Sequence, residues 1–573
     1  MKQFTIWIVI VGVLFVLGWR ALVMATQYFR EPMIVRELCS IPQFEQDLIP
    51  NSANTRLVFC QDTKEGVGIF FCDTAGGKPR LLCEQKEKGL RGRRFTMLGW
   101  APDDSLFACA FPENKQDQEL ILIFDGGTGE LLDKVVADQS FDQFGWLSTD
   151  SFAYSTRTSV RVVARQANGN WAHKRYFENV ATNMDNFTTV SANSVAWRDG
   201  DVIWLFDLGS GSPDKIWEAA PNRLVEFTHA KGVINEFLLN CSDDAGQYLL
   251  WFNLQNKRTF NLGRISSHQA YIRNAIWNGH GSSYACLTND LAGSAFCIKT
   301  EEMATPITIS WRGGVRSFTL SGGQLFFSGN PDDQPPGIWA YDIKSQTFNC
   351  IVPSTSGPLM NGLGVAPSCG VMTNSLGEQR FFHLWVPPDV SPNQKYPVLL
   401  AQELNTWFPC FQIAAHSGFY VAVVDRPFFN TWDGEPQQTW VEDVSSLYEI
   451  MSHNPHIDTN HVYLYACSRE TSFLSQLMNN RPLLAKGAIL FSPTALPNPS
   501  ILQNKHILIV GGKADGNAMK QLPEYQDRAT EQGSVIALFL QDYAGHIPAS
   551  STTECNRARQ FAKFIWFLDV FNG

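Results

Sequence analysis

His461-Val462-Tyr463-Leu464-Tyr465-Ala466-Cys467-Ser468-Arg469-Glu470 is the stretch on which the reading of this chain turns. Its first five residues form a β-branched and aromatic run that predicts a strand. Ser468 follows at once, and an amphipathic helical pattern begins at Glu470. A serine on a sharp strand-to-helix turn has the geometry of a nucleophile elbow, which holds the hydroxyl exposed above a sheet. The helix N-terminus and the Arg469 N–H favour negative charge at that point. A serine hydroxyl is a weak nucleophile alone, so a base and an orienting acid are required. Both follow in the order Ser, Asp, His. The apolar run from His506 to Val510 ends in Gly511-Gly512-Lys513-Ala514-Asp515, and the last apolar run ends in Asp542-Tyr543-Ala544-Gly545-His546. In this reading His546 Nε2 takes the Ser468 proton and Asp515 holds the proton on Nδ1. Taken singly, each residue has an ordinary explanation: a helix N-cap, a turn residue and a plain loop. Their order on successive strand ends is what favours catalysis.

Around the elbow, from about residue 375, short apolar runs alternate with helical stretches, the pattern of βαβ units and a mainly parallel sheet. Strands are expected at Phe381 to Val386, Pro397 to Ala401, Phe419 to Asp425, His461 to Tyr465, Gly487 to Phe491, His506 to Val510 and Val535 to Leu540. Helices are expected at Gln437 to His453, Glu470 to Asn479, Ala518 to Gln532 and Thr553 to Phe571.

Upstream the pattern is different. Between about residues 50 and 353 an apolar strand repeatedly runs into a polar turn, as in Ile69-Phe70-Phe71-Cys72-Asp73, Leu122-Ile123-Phe124-Asp125, Trp204-Leu205-Phe206-Asp207, Leu250-Trp251-Phe252-Asn253 and Ile338-Trp339-Ala340-Tyr341-Asp342. Weaker copies end near Gln166 and Thr300. The interval is roughly 40–50 residues, the period of four-stranded propeller blades. A second mark, an aromatic strand end entering an Asp, Gly or Asn turn, recurs at Trp100, Trp146, Trp197 and Trp277. Together the marks count seven blades, with the tryptophans as inter-blade core. A β-sandwich array is the alternative, and the single period argues against it. The Ser/Pro/Gly-rich stretch from Pro353 to Val371 suits a linker.

The organisation expected is therefore an N-terminal apolar helix in 1–30, a β-propeller of about seven blades in 45–355 and an α/β-hydrolase domain in 372–573. The N-terminal helix rests on Lys2 followed by the apolar run Phe4 to Trp19, then Arg20 and Ala21 to Ala25. This is a charged region leading an apolar one, either a removed signal peptide or an uncleaved signal anchor, with the anchor favoured. The main body is expected to be exported, tethered to a membrane when the segment is uncleaved.

A chain of 573 residues with 44% hydrophobic and 17% charged residues is a multi-domain globular protein. Its net charge of −10 without a basic run argues against nucleic acid as a partner. Thirteen cysteines contain no C-x-x-C pair and no neighbouring histidines at zinc-ligand spacing, so neither a metal nor another cofactor is implied.

A seven-bladed propeller followed by a hydrolase domain resembles the prolyl oligopeptidase family of serine peptidases over roughly residues 50–573. Tyr396-Pro397-Val398-Leu399-Leu400 resembles the family's first core strand, and Phe419 to Arg426 the following strand and its Asp/Arg turn. Glu442-Asp443-Val444 and Asn454-Pro455-His456-Ile457-Asp458 resemble the approach to the nucleophile strand. The resemblance implies acyl-enzyme chemistry on short peptides, with the propeller restricting access. The chain departs from the family at the elbow, where Ala466 and Glu470 stand two before and two after the serine in place of small residues, usually glycines. It departs again at Ala401-Gln402-Glu403-Leu404-Asn405, which lacks the family's oxyanion glycines and tyrosine. The Arg469 N–H is then one oxyanion donor, with Gln402 or Asn405 as candidates for the second. The stretch between Phe491 and His506 is also shorter than the family norm. Three functions stay open: a serine peptidase, an inactive hydrolase-like binding or scaffold protein, and an esterase, since esters need less oxyanion stabilisation than amides.

Overall fold

The computed structural model describes residues 44–63, 65–86, 96–112, 118–137, 141, 143–219, 223–229, 236–243, 246–264, 271–277, 283–290, 293–300, 303–311, 313–321, 323–331, 336–353, 364–402, 409–424, 437–468, 470–513, 515, 522–542 and 551–572. The N-terminal apolar segment lies outside these residues. Among the described residues no helix is long and apolar enough to cross a membrane.

Seven four-stranded antiparallel sheets come first, each built from consecutive strands: Phe44–Lys86, Thr96–Ala137, Gln143–Phe177, Asp185–Glu218, Arg223–Arg264, Tyr271–Trp311 and Gly313–Val352. These are the seven blades. The repeated apolar-to-polar mark falls on the third strand of each. In four blades the side chain of the polar residue that ends this strand accepts from N–H groups of the turn to the fourth, Asn253 from Asn256 in blade 5 among them. Asp125 Oδ1 accepts from the N–H groups of Gly127 (2.9 Å) and Thr128 (2.6 Å). Asp207 Oδ1 accepts from Gly209 (2.8 Å) and Ser210 (2.7 Å), and Asp342 Oδ1 from Ser345 (2.7 Å). These are side-chain-closed turns, the reason Asp or Asn stands at the mark in these blades.

The tryptophan mark is not one position. Trp100 ends the first strand of its blade and Trp146 lies two residues before the end of its own, and each indole N–H bonds a carbonyl in the first strand of the preceding blade, Ile49 at 3.1 Å and Gly99 at 3.0 Å. Trp197 lies on a second strand, buried in the seam between blades 3 and 4. The side chain of Trp277 lies outside the described residues.

A buried apolar cluster fills each seam between neighbouring blades. The seventh closes the ring: Leu48, Leu57, Phe59 and Cys72 of blade 1 pack on Phe326, Ile338, Ala340 and Ile351 of blade 7. Among the described residues the two blades share no strand, and this apolar packing joins them.

An eight-stranded sheet follows: β1 (Ser368–Thr373), β2 (Gln379–Trp385), β3 (Tyr396–Gln402), β4 (Tyr420–Val424), β5 (Ile457–Cys467), β6 (Gly487–Phe491), β7 (His506–Gly512) and β8 (Val535–Gln541). Its order is β1-β2-β4-β3-β5-β6-β7-β8, antiparallel at β1/β2 and β2/β4 and parallel elsewhere. The sheet starts at Ser368, inside the stretch expected to be linker; β1 is mostly exposed and too short and mixed in composition to show a strand pattern. Five helices accompany it: α1 (Pro409–His416), α2 (Gln437–Ser452), α3 (Glu470–Asn480), α4 (Leu522–Glu531) and α5 (Ser551–Asn572). Residues of α2, α3 and α4 join the core on one face, and those of α1 and α5 the core on the other. Helix α1 was not expected from the sequence. Cys410, Phe411, Gln412, Ile413, Ala414 and Ala415 are all buried, so it has no polar face to give a helical period.

Asp443 of α2, one of the residues carrying the family resemblance, is buried and structural. It accepts from Arg380 Nε (3.1 Å) and Asn374 Nδ2 (2.8 Å), tying α2 to the β1–β2 hairpin. Burial holds its carboxyl above the ordinary value against the pull of Arg380.

Candidate active site

The parallel strands end at one edge of the sheet, and their registers bring Ser468 and Asp515 there. Cys467, the last residue of β5, pairs with Phe491 at the end of β6, and Phe491 pairs with Val510 near the end of β7. Ser468 is the next residue after β5. Its N–H donates to the Phe491 carbonyl at 2.8 Å, carrying the ladder one residue past the strand. There the chain turns sharply, and Ser468 has φ 53°. A left-handed conformation costs a non-glycine residue about 1–3 kcal/mol and persists only where the surroundings enforce it.

The surroundings are explicit. The Ser468 carbonyl accepts from Thr471 N (3.1 Å), Thr471 Oγ1 (2.6 Å) and Thr494 Oγ1 (3.1 Å). Thr471 Oγ1 in turn accepts from the N–H groups of Thr494 (3.0 Å) and Ala495 (3.3 Å). The elbow is therefore clamped to the loop after β6. Thr471 and Thr494 are missing from the sequence reading. The spacing of Thr471, three residues after the serine on a helix start, is the signal that could have found it; Thr494 has none.

Ser468 is half-buried, and its helix begins two residues later. Ala466 is wholly buried, as the close strand–helix crossing requires. Glu470 occupies the first turn of α3, where its charge complements the helix dipole.

Asp515 lies three residues past β7, half-buried, with its N–H on the Gly512 carbonyl at 3.0 Å. Strands β7 and β8 leave the sheet together: Gly512 pairs with Gln541, and Lys513 N donates to the Gln541 carbonyl at 2.9 Å. His546 falls in the segment between β8 and α5, outside the described residues, as do Arg469 and the side chain of Gln402, the last residue of β3. The strands thus bring the backbone at Ser468 and Asp515 to one edge, separated by β6.

No protein-family model matches the chain, and no curated protein does. Solved structures match over nearly its whole length. A prolyl endopeptidase superposes with a TM-score of 0.72 at 12% identity, covering 96% of this chain and 93% of that one. A puromycin-hydrolyzing peptidase of Mycobacterium tuberculosis gives 0.69 at 10% identity over 92% and 95%. Puromycin hydrolase gives 0.70 at 9% identity over 94% and 97%. Propeller and sheet alike, in this order along the chain, give this protein the fold of the prolyl oligopeptidase family.

Proposed function

We propose that the eight-stranded unit is an α/β-hydrolase domain and that the protein is a serine hydrolase, a peptidase acting on short peptides. The observation that carries this reading is the strained backbone of Ser468 just past the end of β5, held at φ 53° by four hydrogen bonds, two of which reach across to Phe491 and Thr494. In the proposed reaction Ser468 Oγ attacks the substrate carbonyl while His546 takes its proton and Asp515 holds the imidazole. The tetrahedral intermediate expels the amine, which takes the proton from His546. Water then repeats the sequence on the acyl-enzyme and releases the acid. The Arg469 N–H and Gln402 are the proposed oxyanion donors. The propeller would limit access to short chains, and its neighbours in fold are named as peptidases.

Fluorophosphonate labelling of the purified protein tests the reading, with Ser468→Ala as control. Labelling that depends on Ser468 is expected; equal labelling of both proteins sinks the proposal. A second reading, an inactive hydrolase-like scaffold, is favoured by Glu470 in the first turn of α3, and that test decides between the two. Faster turnover of p-nitrophenyl esters with no cleavage of peptide amides would instead mark an esterase. For the apolar segment 4–25 we propose a signal anchor with the body exported, and alkaline extraction of membranes tests the anchor.

A further inference from the structure

One buried charge stands at the edge that carries the site, and neither the fold nor the proposed chemistry has used it. Arg557 of α5 is 3% exposed. Its Nη2 donates to Ser492 Oγ at 2.9 Å and its Nε to Gln541 Oε1 at 3.0 Å. The guanidinium carbon also lies 5.9 Å from the centre of the Phe491 ring. Burying a guanidinium is costly, because the charge gives up its water.

Phe491, Ser492 and Gln541 are not scattered. Phe491 ends β6 and its carbonyl holds the Ser468 N–H. Ser492 is the next residue, itself turned to φ 44° and bonded through its N–H to the Val510 carbonyl at 2.7 Å. Gln541 ends β8, and its carbonyl receives the Lys513 N–H two residues before Asp515. From Gln541 the chain runs five residues to His546. One planar, five-donor group therefore links the turn that holds the nucleophile to the strand end that launches the base, across 65 and 16 residues of sequence.

We infer that Arg557 is a positioning residue of the hydrolase site, fixing the strand end that leads to His546 against the β6 turn that braces Ser468. The inference rests on the triad reading proposed above. It gives Arg557 no contact with substrate. Its effect is on the alignment of base and nucleophile, where a displacement of about 1 Å costs on the order of 10²-fold in rate.

The test compares wild type, Arg557→Met, Arg557→Lys, Gln541→Leu and the Gln541→Leu/Arg557→Met double variant. Acylation by p-nitrophenyl acetate is followed in the pre-steady state, active sites are titrated with a fluorophosphonate, and melting is recorded. Expected is a fall in acylation rate per titrated site of about 10²-fold in Arg557→Met, with KM within about twofold. Lysine should recover less than half of that loss on a logarithmic scale, because one ammonium does not span both acceptors. The double variant should be no slower than Arg557→Met, since both changes break one link. A merely structural arginine predicts something else: fewer active sites and a lower melting temperature, with the surviving sites reacting at the wild-type rate. That result overturns the inference, as does additivity in the double variant. If Arg557→Met does not fold, Arg557→Lys decides alone, and a wild-type rate per site overturns the inference. Absence of Ser468-dependent labelling in wild type removes the hydrolase reading and this role together; Ser468-dependent labelling with an unimpaired folded Arg557 variant removes only the role.

Discussion

A blade turn and the elbow at Ser468 solve the same problem, how a chain leaves a strand, in opposite ways. In four of the blades the side chain that ends the third strand closes its own turn. Asp125, Asp207 and Asp342 each bond N–H groups two or three residues on. The elbow depends on distant residues. The Ser468 backbone is held by Phe491 and Thr494, 23 and 26 positions away, and the turn beside it by Arg557, 65 positions from Ser492. Self-closed turns are robust and repeat. A strained turn enforced from several directions is what a reacting group needs, and no single local residue can supply it.

That contrast is broken most directly at the acid. Asp515→Asn is expected to lower Ser468-dependent turnover by about 10⁴-fold, because the imidazole would sit in the wrong tautomer. Melting should stay near the wild-type value, as expected for a half-buried residue. Steady-state kinetics with melting curves check this, and a loss under tenfold would remove Asp515 from the triad. Next in size is Asp443, a buried carboxylate that serves only the fold. Asp443→Ala leaves Arg380 and Asn374 without their shared acceptor, at a cost of about 2–3 kcal/mol. Chemical denaturation should show that loss while the rate per active site stays unchanged.

The same contrast explains what one sequence could tell. The blades are legible because each carries its rule within a few residues, an apolar strand running into a polar turn that in four blades is closed by the side chain at the strand end. Gly487 to Phe491 was predicted with its observed ends, since a fully buried strand bounded by turns has one reading. Helix α1 was hidden because every side is buried, and β1 because it is mostly exposed, short and mixed in composition. For the proposed site, Ser468 and Asp515 are legible as residue types just past strand ends, while His546 lies outside the described residues. Thr494, Ser492 and Arg557 are not legible: each acts through a partner that only the folded sheet brings near. Trp197 taught a smaller lesson, that one aromatic mark can serve two different strands.

Glu470 sharpens the comparison at moderate size. Removing an acid from the first turn of α3 takes a negative charge away from the developing oxyanion. An effect of the kind measured at helix N-termini, about 0.3–1 kcal/mol, makes acylation of Glu470→Gln about 2- to 5-fold faster. The helix itself should lose a similar amount of stability, so rate and melting temperature move in opposite directions. Stopped-flow acylation and calorimetry read the two; a slower Glu470→Gln would show that the carboxylate assists the reaction.

The smallest effect belongs to a blade. Asp125→Ala removes the acceptor for two turn N–H groups, yet the turn is exposed and water replaces the lost bonds. A melting shift on the order of 1 °C is expected, and Asp125→Asn should restore most of it, since Asn253 fills the corresponding place in blade 5 and accepts from Asn256 N at 3.2 Å. The backbone N–H of Thr128 holds the Asp125 carboxyl below its ordinary value. A carboxylate with a depressed folded-state pKa stabilises the protein above the unfolded-state value, about 3.9, and stops doing so as pH falls through the folded-state value. Melting curves of wild type and Asp125→Ala should therefore differ at neutral pH and converge in acid. A difference that persisted after protonation would mean that the turn is held by its backbone shape and not by the carboxylate, and the blades would then be less self-sufficient than their repeated acid implies.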